Sequence, residues 1–245
     1  MPRYLTFALV APLASFGGIA VGERRSGWDR PGRSAVLGLV GACLGLHRDD
    51  DAGQEALAGG YSVALLCHSP GRLLADYHTT QAPSTKRGRR FATRAEELAE
   101  PDLNTILSRR DYRTGAWHLG AVWPRPCVDP ARWTLEELAE AMRRPGFIPY
   151  LGRKSCPLGL PLGPRIEDAA DAPAALEARH RTGPEARFSV LADPPAETMI
   201  VLDAEDPAAA GERHRRTEFR RDQPRSRRRW QFDLRAEAVL GAGPP

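Results

Sequence analysis

At 245 residues, with 42% hydrophobic and 27% charged side chains, the chain can bury a sizeable core and has the balance of an ordinary folded protein. The net charge is only +4, but lysine occurs only as Lys86 and Lys154, so nearly all of the 35 basic residues are arginine. Arginine binds phosphate through a bidentate fork and stacks on bases. The cysteines Cys43, Cys67, Cys127 and Cys156 include no C-x-x-C pair, which argues against a structural zinc site, any other structural metal or a cofactor, and for a reducing cytoplasm.

Leu5, Phe7 and Leu9 alternate with Thr6 and Ala8, the pattern of a buried first strand over residues 3–10. Tyr4 to Gly22 is uncharged and follows Arg3, as in a secretory leader, but Pro12, Gly17 and Gly18 interrupt it. Residues 11–33 form a loop rich in Gly, Pro and Arg. From Ser34 to Leu46, Val36, Leu37, Val40 and Leu44 make an apolar helical stripe, with Ser34 as the expected N-cap. Gly38, Gly41 and Gly45 remove bulk from one side of this helix. Either a neighbouring helix packs closely there, or the free N–H groups beside Arg33 hold a phosphate. The uncharged run is too short for the ~20 residues of a membrane span.

Asp49, Asp50 and Asp51 read as a turn at the helix end beside Arg48, and Gln54–Ala58 as a turn of helix. Tyr61–His68 reads as a second strand. From Leu74 to about Gly115 apolar residues thin out while Lys86, Arg87, Arg89, Arg90, Arg94, Arg109, Arg110 and Arg113 accumulate. Such a segment cannot fill a core, and is either a disordered insertion or an arm ordered by a polyanion. Trp117–Trp123 reads as a strand, and Thr134–Arg143 as a helix with Thr134 and Glu137 in a capping box. A compact turn follows over Tyr150–Pro164. Residues 165–185 read as a short acidic, Ala-rich helix in a loop region, and Thr198–Leu202 and Trp230–Leu234 as late strands. Between these strands, Arg213–Arg229 holds nine arginines. This run can touch DNA, a neighbouring protein subunit or only solvent. The order strand, helix, strand, insertion, strand, helix fits a β-α-β-β-α-β ferredoxin-like unit in an α+β fold.

Basic and aromatic residues gather in four places: Ser26–Ser34 with Arg30 and Arg33; Asp76–Thr80 with Tyr77, His78 and Thr79; Arg109–Thr114 with Arg110, Tyr112 and Arg113; and Tyr150–Pro157 with Arg153 and Lys154. Rings beside cations suit single-stranded nucleic acid, whose bases stack and whose phosphates pair. The sequence has no P-loop, G-x-S-x-G or H-E-x-x-H. A metal-independent endoribonuclease is the alternative, with Tyr77, His78 and Lys86 offering the needed base and cation.

The blocks RSAVLGLVGACLGLHRDD, DYHTT, RRDYRT and PYLGRKSCPLGLPL, in this order, resemble the CasD family. Its members bind the 5′ handle of the crRNA in type I-E Cascade, the RNA-guided CRISPR surveillance complex. The segments 81–105 and 165–225 match the pattern poorly. The resemblance implies a ferredoxin-like (RRM-like) RAMP domain over residues 1–150 with a thumb-like insertion at about 76–115, and a C-terminal extension over 151–245 with late β-strands. It implies a non-catalytic antiviral subunit that caps the complex and grips the handle, with cleavage left to CasE. The implied partners are crRNA, the CasC backbone, the large subunit CasA, CasB and CasE, and target DNA through the complex, with no membrane. By position, Arg33 and Ser34 match the handle-gripping region. Tyr77, His78 and Thr79 open the thumb, Arg109, Arg110, Tyr112 and Arg113 close it, and Arg153 and Lys154 match the turn after the second helix. Arg30 joins them as an expected RNA contact.

Overall fold

A computed structural model of the chain describes residues 1–18, 20, 22–84, 90–126, 128, 131–192, 197–226 and 228–242. Lys86, Arg87, Arg89 and Cys127 lie outside the described residues. In chain order the elements are β1 (Arg3–Ala14), β2 (Phe16–Gly17), β3 (Arg24–Arg25), β4 (Gly27–Trp28), α1 (Arg33–Cys43), α2 (Asp51–Gly60), β5 (Tyr61–Ser69), β6 (Arg72–Pro83), α3 (Arg94–Leu98), β7 (Leu103–Pro124), α4 (Leu135–Arg143), β8 (Arg165–Asp168), α5 (Ala172–Thr182), β9 (Met199–Asp203), β10 (His214–Ser226) and β11 (Gln231–Gly241). Short 3-10 helices span Pro184–Leu191 and Pro207–Ala209.

The main sheet runs β10-β11-β9-β5-β7-β1-β8, antiparallel along this path, with β6 and β3 paired to the far half of β7. Its β8-β1-β7-β5 part has the spatial order four-one-three-two for the sequence β1-α1-β5-β7-α4-β8. β8 completes this order from a stretch that reads as an acidic helix and loop; its edge pairing to β1, through Arg3–Asp168 and Leu5–Ile166, overrides its polar composition.

Both faces of the sheet are covered. Leu5, Phe7, Leu9, Val63 and Leu65 pack beneath α1 and α4 with Val36, Leu37, Val40, Leu138 and Met142. Tyr4, Ala8, Leu66, Trp117 and Leu119 pack against Ala172, Ala175 and Leu176 of α5. Each fully buried Leu or Phe side chain contributes roughly 1.5–3 kcal/mol. The α5 layer closes the face that an RRM-like domain leaves bare for bases, so the strands Tyr61–Ser69 and Trp117–Trp123 read as core rather than as a stacking platform. Arg179 fixes that layer: its fully buried guanidinium donates to Thr6 O and Gly163 O and pairs with Glu185.

The glycine-bearing helix resolves in favour of packing. A Cβ on Gly41 would sit 3.3 Å from Leu57 Cδ1 of α2. The helix stops in a Schellman arrangement, with Gly45 N–H donating to Ala42 O and Leu46 N–H to Gly41 O. The loop after α4 caps one further carbonyl, Gly146 N–H donating to Cys43 O, and adds a second donor to Ala42 O from Phe147 N–H. Asp50 is the N-cap of α2, its carboxylate accepting from Gly53 N–H at 2.9 Å. The α4 capping box is present as expected.

The polar insertion is a regular arm. β6 pairs with β7 from Arg72–Thr114 through Pro83–Leu103. The second half of β7 enters the core between β1 and β5. Gly115, with φ +69°, sits where the arm leaves the sheet, a backbone geometry that side-chain-bearing residues rarely adopt.

Candidate nucleic-acid interface

The register of the arm sorts its residues onto two faces. Arg110 is opposite Asp76 and beside Arg25 of β3, and Tyr112 and His78 are two positions away on the same side. On the other side Arg109 is opposite Tyr77 and beside Arg24, with Asp111, Arg113 and Thr79 in alternation. Arg109 Nε donates to Asp111 Oδ1 at 3.0 Å, and Arg24 lies 3.6 Å from Asp111 Oδ2. Tyr77 is 63% exposed, so its ring is open to a stacking partner. His78 Nε2 pairs with the Asp76 carboxylate.

Against the base of the arm lies the turn 150–157. It closes on itself through Leu151 N–H to Cys156 O at 2.9 Å and Cys156 N–H to Arg153 O at 2.8 Å. It is bound to the end of β1 through Ser15 N–H to Leu151 O at 3.0 Å. Gly152 has φ +91°, and a Cβ there would fall 1.7 Å from Ser15 O, so only glycine permits this approach. The turn places the Arg153 guanidinium 4.6 Å from the Tyr112 ring centroid and 3.3 Å from Asp111 O. Lys154 is exposed beside it. Arg153, Tyr112 and Arg110 thus form a partly exposed cation-ring-cation surface. A small apolar recess lined by Phe16, Pro31, Ala35, Tyr150 and Gly152 separates the first turn of α1 from the 150–157 turn, and Ser34, half-buried on α1, is not among its lining residues.

Arg30 and Arg33 do not belong to this surface. Both side chains are buried, in an ionic network between α1 and the C-terminal hairpin. Arg30 Nη2 donates to Glu237 Oε2 and Glu218 Oε2, each at 2.6 Å. Arg33 Nη2 donates to Ala58 O and Tyr61 O, each at 2.7 Å, and so caps the end of α2. Arg33 Nε donates to Gln223 Oε1 at 3.0 Å. Burial pushes the Arg33 guanidinium down to about 10, Asp203 opposing and Arg125 and Arg235 adding to the fall. The expectation that these two arginines reach RNA fails because both are walled in by carboxylates and carbonyls from distant segments.

The anion site foreseen at the start of α1 is also filled from within. The N-cap is Gly32, not Ser34, and it makes no side-chain cap. The Asp222 carboxylate of β10 accepts from Arg33 N–H at 2.7 Å and takes the place a phosphate would occupy. Arg235 holds that carboxylate with two hydrogen bonds of 2.9 Å.

Arg24 and Arg25 were absent from the expected contacts. Their two-residue strand lies parallel to Arg109 and Arg110, within a loop whose composition signals no strand. Their only local signal is the adjacent pair of arginines. Among the described residues no group of three or more His, Cys, Asp or Glu is placed to hold a metal, and no helix is long and apolar enough to cross a membrane. The thiols of Cys43, Cys67 and Cys156 are buried and unpaired, and burial pushes Cys67 up to about 12.

Comparison with known proteins gives a consistent result. The family described as "CRISPR-associated protein (Cas_Cas5)" matches residues 4–236. The chain is 33% identical over 170 residues to the CRISPR system Cascade subunit CasD of Escherichia coli (strain K12), covering 66% of this chain and 70% of that protein. A solved CRISPR RNA-guided surveillance complex contains a chain of similar fold, with TM-score 0.60, 19% identity, and coverage of 98% of this chain and 90% of that one. A crystal structure of a Cas protein aligns with TM-score 0.58 at 23% identity, covering 99% of this chain and all of that one. With the match running from the first strand to the last, this chain belongs to the Cas5 family of CRISPR-associated proteins, on its CasD branch.

Proposed function

We propose that the chain is the non-catalytic subunit of a type I-E Cascade complex that grips the 5′ handle of crRNA at the base of its β6–β7 arm. The observation that carries this reading is the Arg110–Tyr112–Arg153 surface, where a ring lies under one guanidinium and a second cation is two residues along the strand. Such a surface stacks a splayed base and pairs its phosphates, while guide pairing supplies sequence. Lys154 and Arg25 extend it on one face of the arm, and Tyr77, Thr79, Arg109 and Arg113 serve the other. Ser34, half-buried on the first turn of α1, is a further contact this reading carries. The four-one-three-two strand order supports a ferredoxin-like RAMP domain whose fourth strand, β8, lies past the boundary expected at residue 150. The arm supports the thumb, and β9 to β11 form the extension. CasC, CasA, CasB, CasE and target DNA are the partners this assignment carries, in the cytoplasm.

Filter binding of the full chain to handle RNA tests it. Arg110→Glu and Arg153→Glu are each expected to weaken binding at least tenfold and to lower the salt slope by about 0.7–0.9 per lost phosphate contact. Unchanged affinity and slope in both variants refute the site.

The His78–Asp76 pair beside Arg110 favours one second reading, a metal-independent ribonuclease with a histidine base. Incubation of the chain with repeat RNA in EDTA separates the two. Specific cleavage that disappears in His78→Ala establishes the enzyme, and intact RNA establishes the binder.

A further inference from the structure

The arginine-rich stretch around β10 is not used by the handle site. Among the described residues β10 is an edge strand of the sheet. Alternation divides its side chains. Glu218, Arg220 and Asp222 face inward, where they meet Arg30, Glu237 and Arg235. Phe219 and Arg221 face the other way and are exposed. Across the hairpin their partners are Ala236 and Leu234, and Phe232 follows Leu234 at the next alternate position. Phe219 is 69% exposed, Leu234 59% and Trp230 57%, an unusual concentration of large apolar surface on one hairpin.

Trp230 is held there deliberately by the backbone. Among the described residues it is the only non-glycine with positive φ, at 54°. Side-chain-bearing residues rarely adopt that conformation, and it persists only where the surroundings impose it. Its ring meets Phe232 edge-on at 5.4 Å, and the Arg48 guanidinium lies 4.7 Å from its centroid. Arg225, Arg228 and Arg229 are exposed around it, while the exposed acid of the hairpin, Asp233, is 3.9 Å from Arg225.

We infer that the β10–β11 hairpin is a second nucleic-acid surface that binds a single strand other than the handle, without reading its sequence. Bases stack on Trp230 and Phe219, and phosphates pair with Arg221, Arg225, Arg228 and Arg229. The charge balance favours a nucleic-acid occupant. Rings and arginine also occur at protein interfaces, but here Arg221, Arg225, Arg228 and Arg229 lie beside the rings with one exposed acid, Asp233, among them, the arrangement that follows a phosphate backbone with its bases turned aside. Every base offers a π face, so stacking alone confers little preference among them.

The test is fluorescence anisotropy of the full chain with a labelled oligo(dT) of about 20 nucleotides, titrated at several salt concentrations beside handle RNA. The double variant Phe219→Ser/Trp230→Ala is expected to weaken oligo(dT) binding at least tenfold. Arg221→Gln/Arg225→Gln is expected to weaken it and to lower the single-strand salt slope by about 1.4. Handle affinity should change less than twofold in both, and its loss in Arg110→Glu reports separately on the arm. Wild-type oligo(dT) affinity and slope in both variants overturn the inference. So does a variant that keeps oligo(dT) binding but no longer co-purifies with a protein subunit, which makes the surface a protein interface. Ultraviolet cross-linking of the unaltered chain to a bromouracil-substituted strand is an independent measurement. Adducts at Trp230 or Phe219 support the surface, and adducts confined to the arm overturn it.

Discussion

Replacing Arg33 by methionine separates a structural arginine from an RNA-binding one. Its guanidinium is 1% exposed and donates to Ala58 O, Tyr61 O and Gln223 Oε1. Methionine retains much of the buried stem but leaves two carbonyls at the end of α2 and one amide oxygen without a donor. Each buried acceptor left unpaired costs about 1–3 kcal/mol, so three cost at least about 3, offset in part because a buried guanidinium no longer has to be desolvated. Asp203 lies 3.6 Å from Arg33 but keeps Arg125 at 3.3 Å and Arg235 at 2.9 Å, so no carboxylate is stranded. The expected loss is therefore about 3–5 kcal/mol, a large part of the ~5–15 typical of a domain. For a chain of this size it lowers the melting temperature by roughly 6–20 °C. Urea unfolding at pH 7.5 measures it, with handle affinity determined separately on the folded variant and expected to hold. Destabilisation below about 1 kcal/mol together with a tenfold loss of handle affinity would refute the reasoning and return Arg33 to the RNA site.

Three further outcomes follow from the same geometry. Burial pushes the His118 imidazole down to about 3, with both ring nitrogens enclosed. The unfolded chain takes up this proton near pH 6.5 and the folded chain only near 3. Its share of stability is therefore complete above 6.5 and lost as pH falls through that window, by up to about 1.4 kcal/mol per pH unit. His118→Phe should flatten the decline of the urea midpoint between pH 7 and 5; an unaltered decline contradicts the assignment. Gly152→Ala forces a side chain onto Ser15 O and an unfavourable φ, with a cost of at least about 1–3 kcal/mol. Displacing Arg153 from Tyr112 should also weaken handle binding, and a variant of parental stability and affinity would show that the turn is not fixed in this way. Thr134→Ala removes the α4 cap, whose oxygen accepts from Glu137 N–H at 3.2 Å. It should cost about 1 kcal/mol in chemical denaturation and leave handle affinity unchanged.

Much of the architecture was legible locally. The alternation of Leu5, Phe7 and Leu9 marks β1, and Thr134 with Glu137 marks the start of α4, because strand pleat and helix cap are set by residues a few positions apart. The arm read as a polar insertion because neither of its faces is buried in a core. Its twelve-position ladder needed β6 and β7 to be aligned, which composition does not express. β8 was hidden for a similar reason, since its pairing with β1 spans the length of the unit. The cation-ring contact of Arg153 with Tyr112 joins two clusters that looked separate in the chain.

The amino-acid order by itself determined β1, the cap of α4, the arginine-dominated charge and the family blocks, since each is written in adjacent or periodic residues. It did not determine which arginines face solvent. Arg33 takes its cap from Asp222, 189 positions away, and Arg30 its partner from Glu237, 207 positions away. An arginine is free to meet phosphate only if the folded chain has not already supplied an anion, and that is decided by distant strands converging on it.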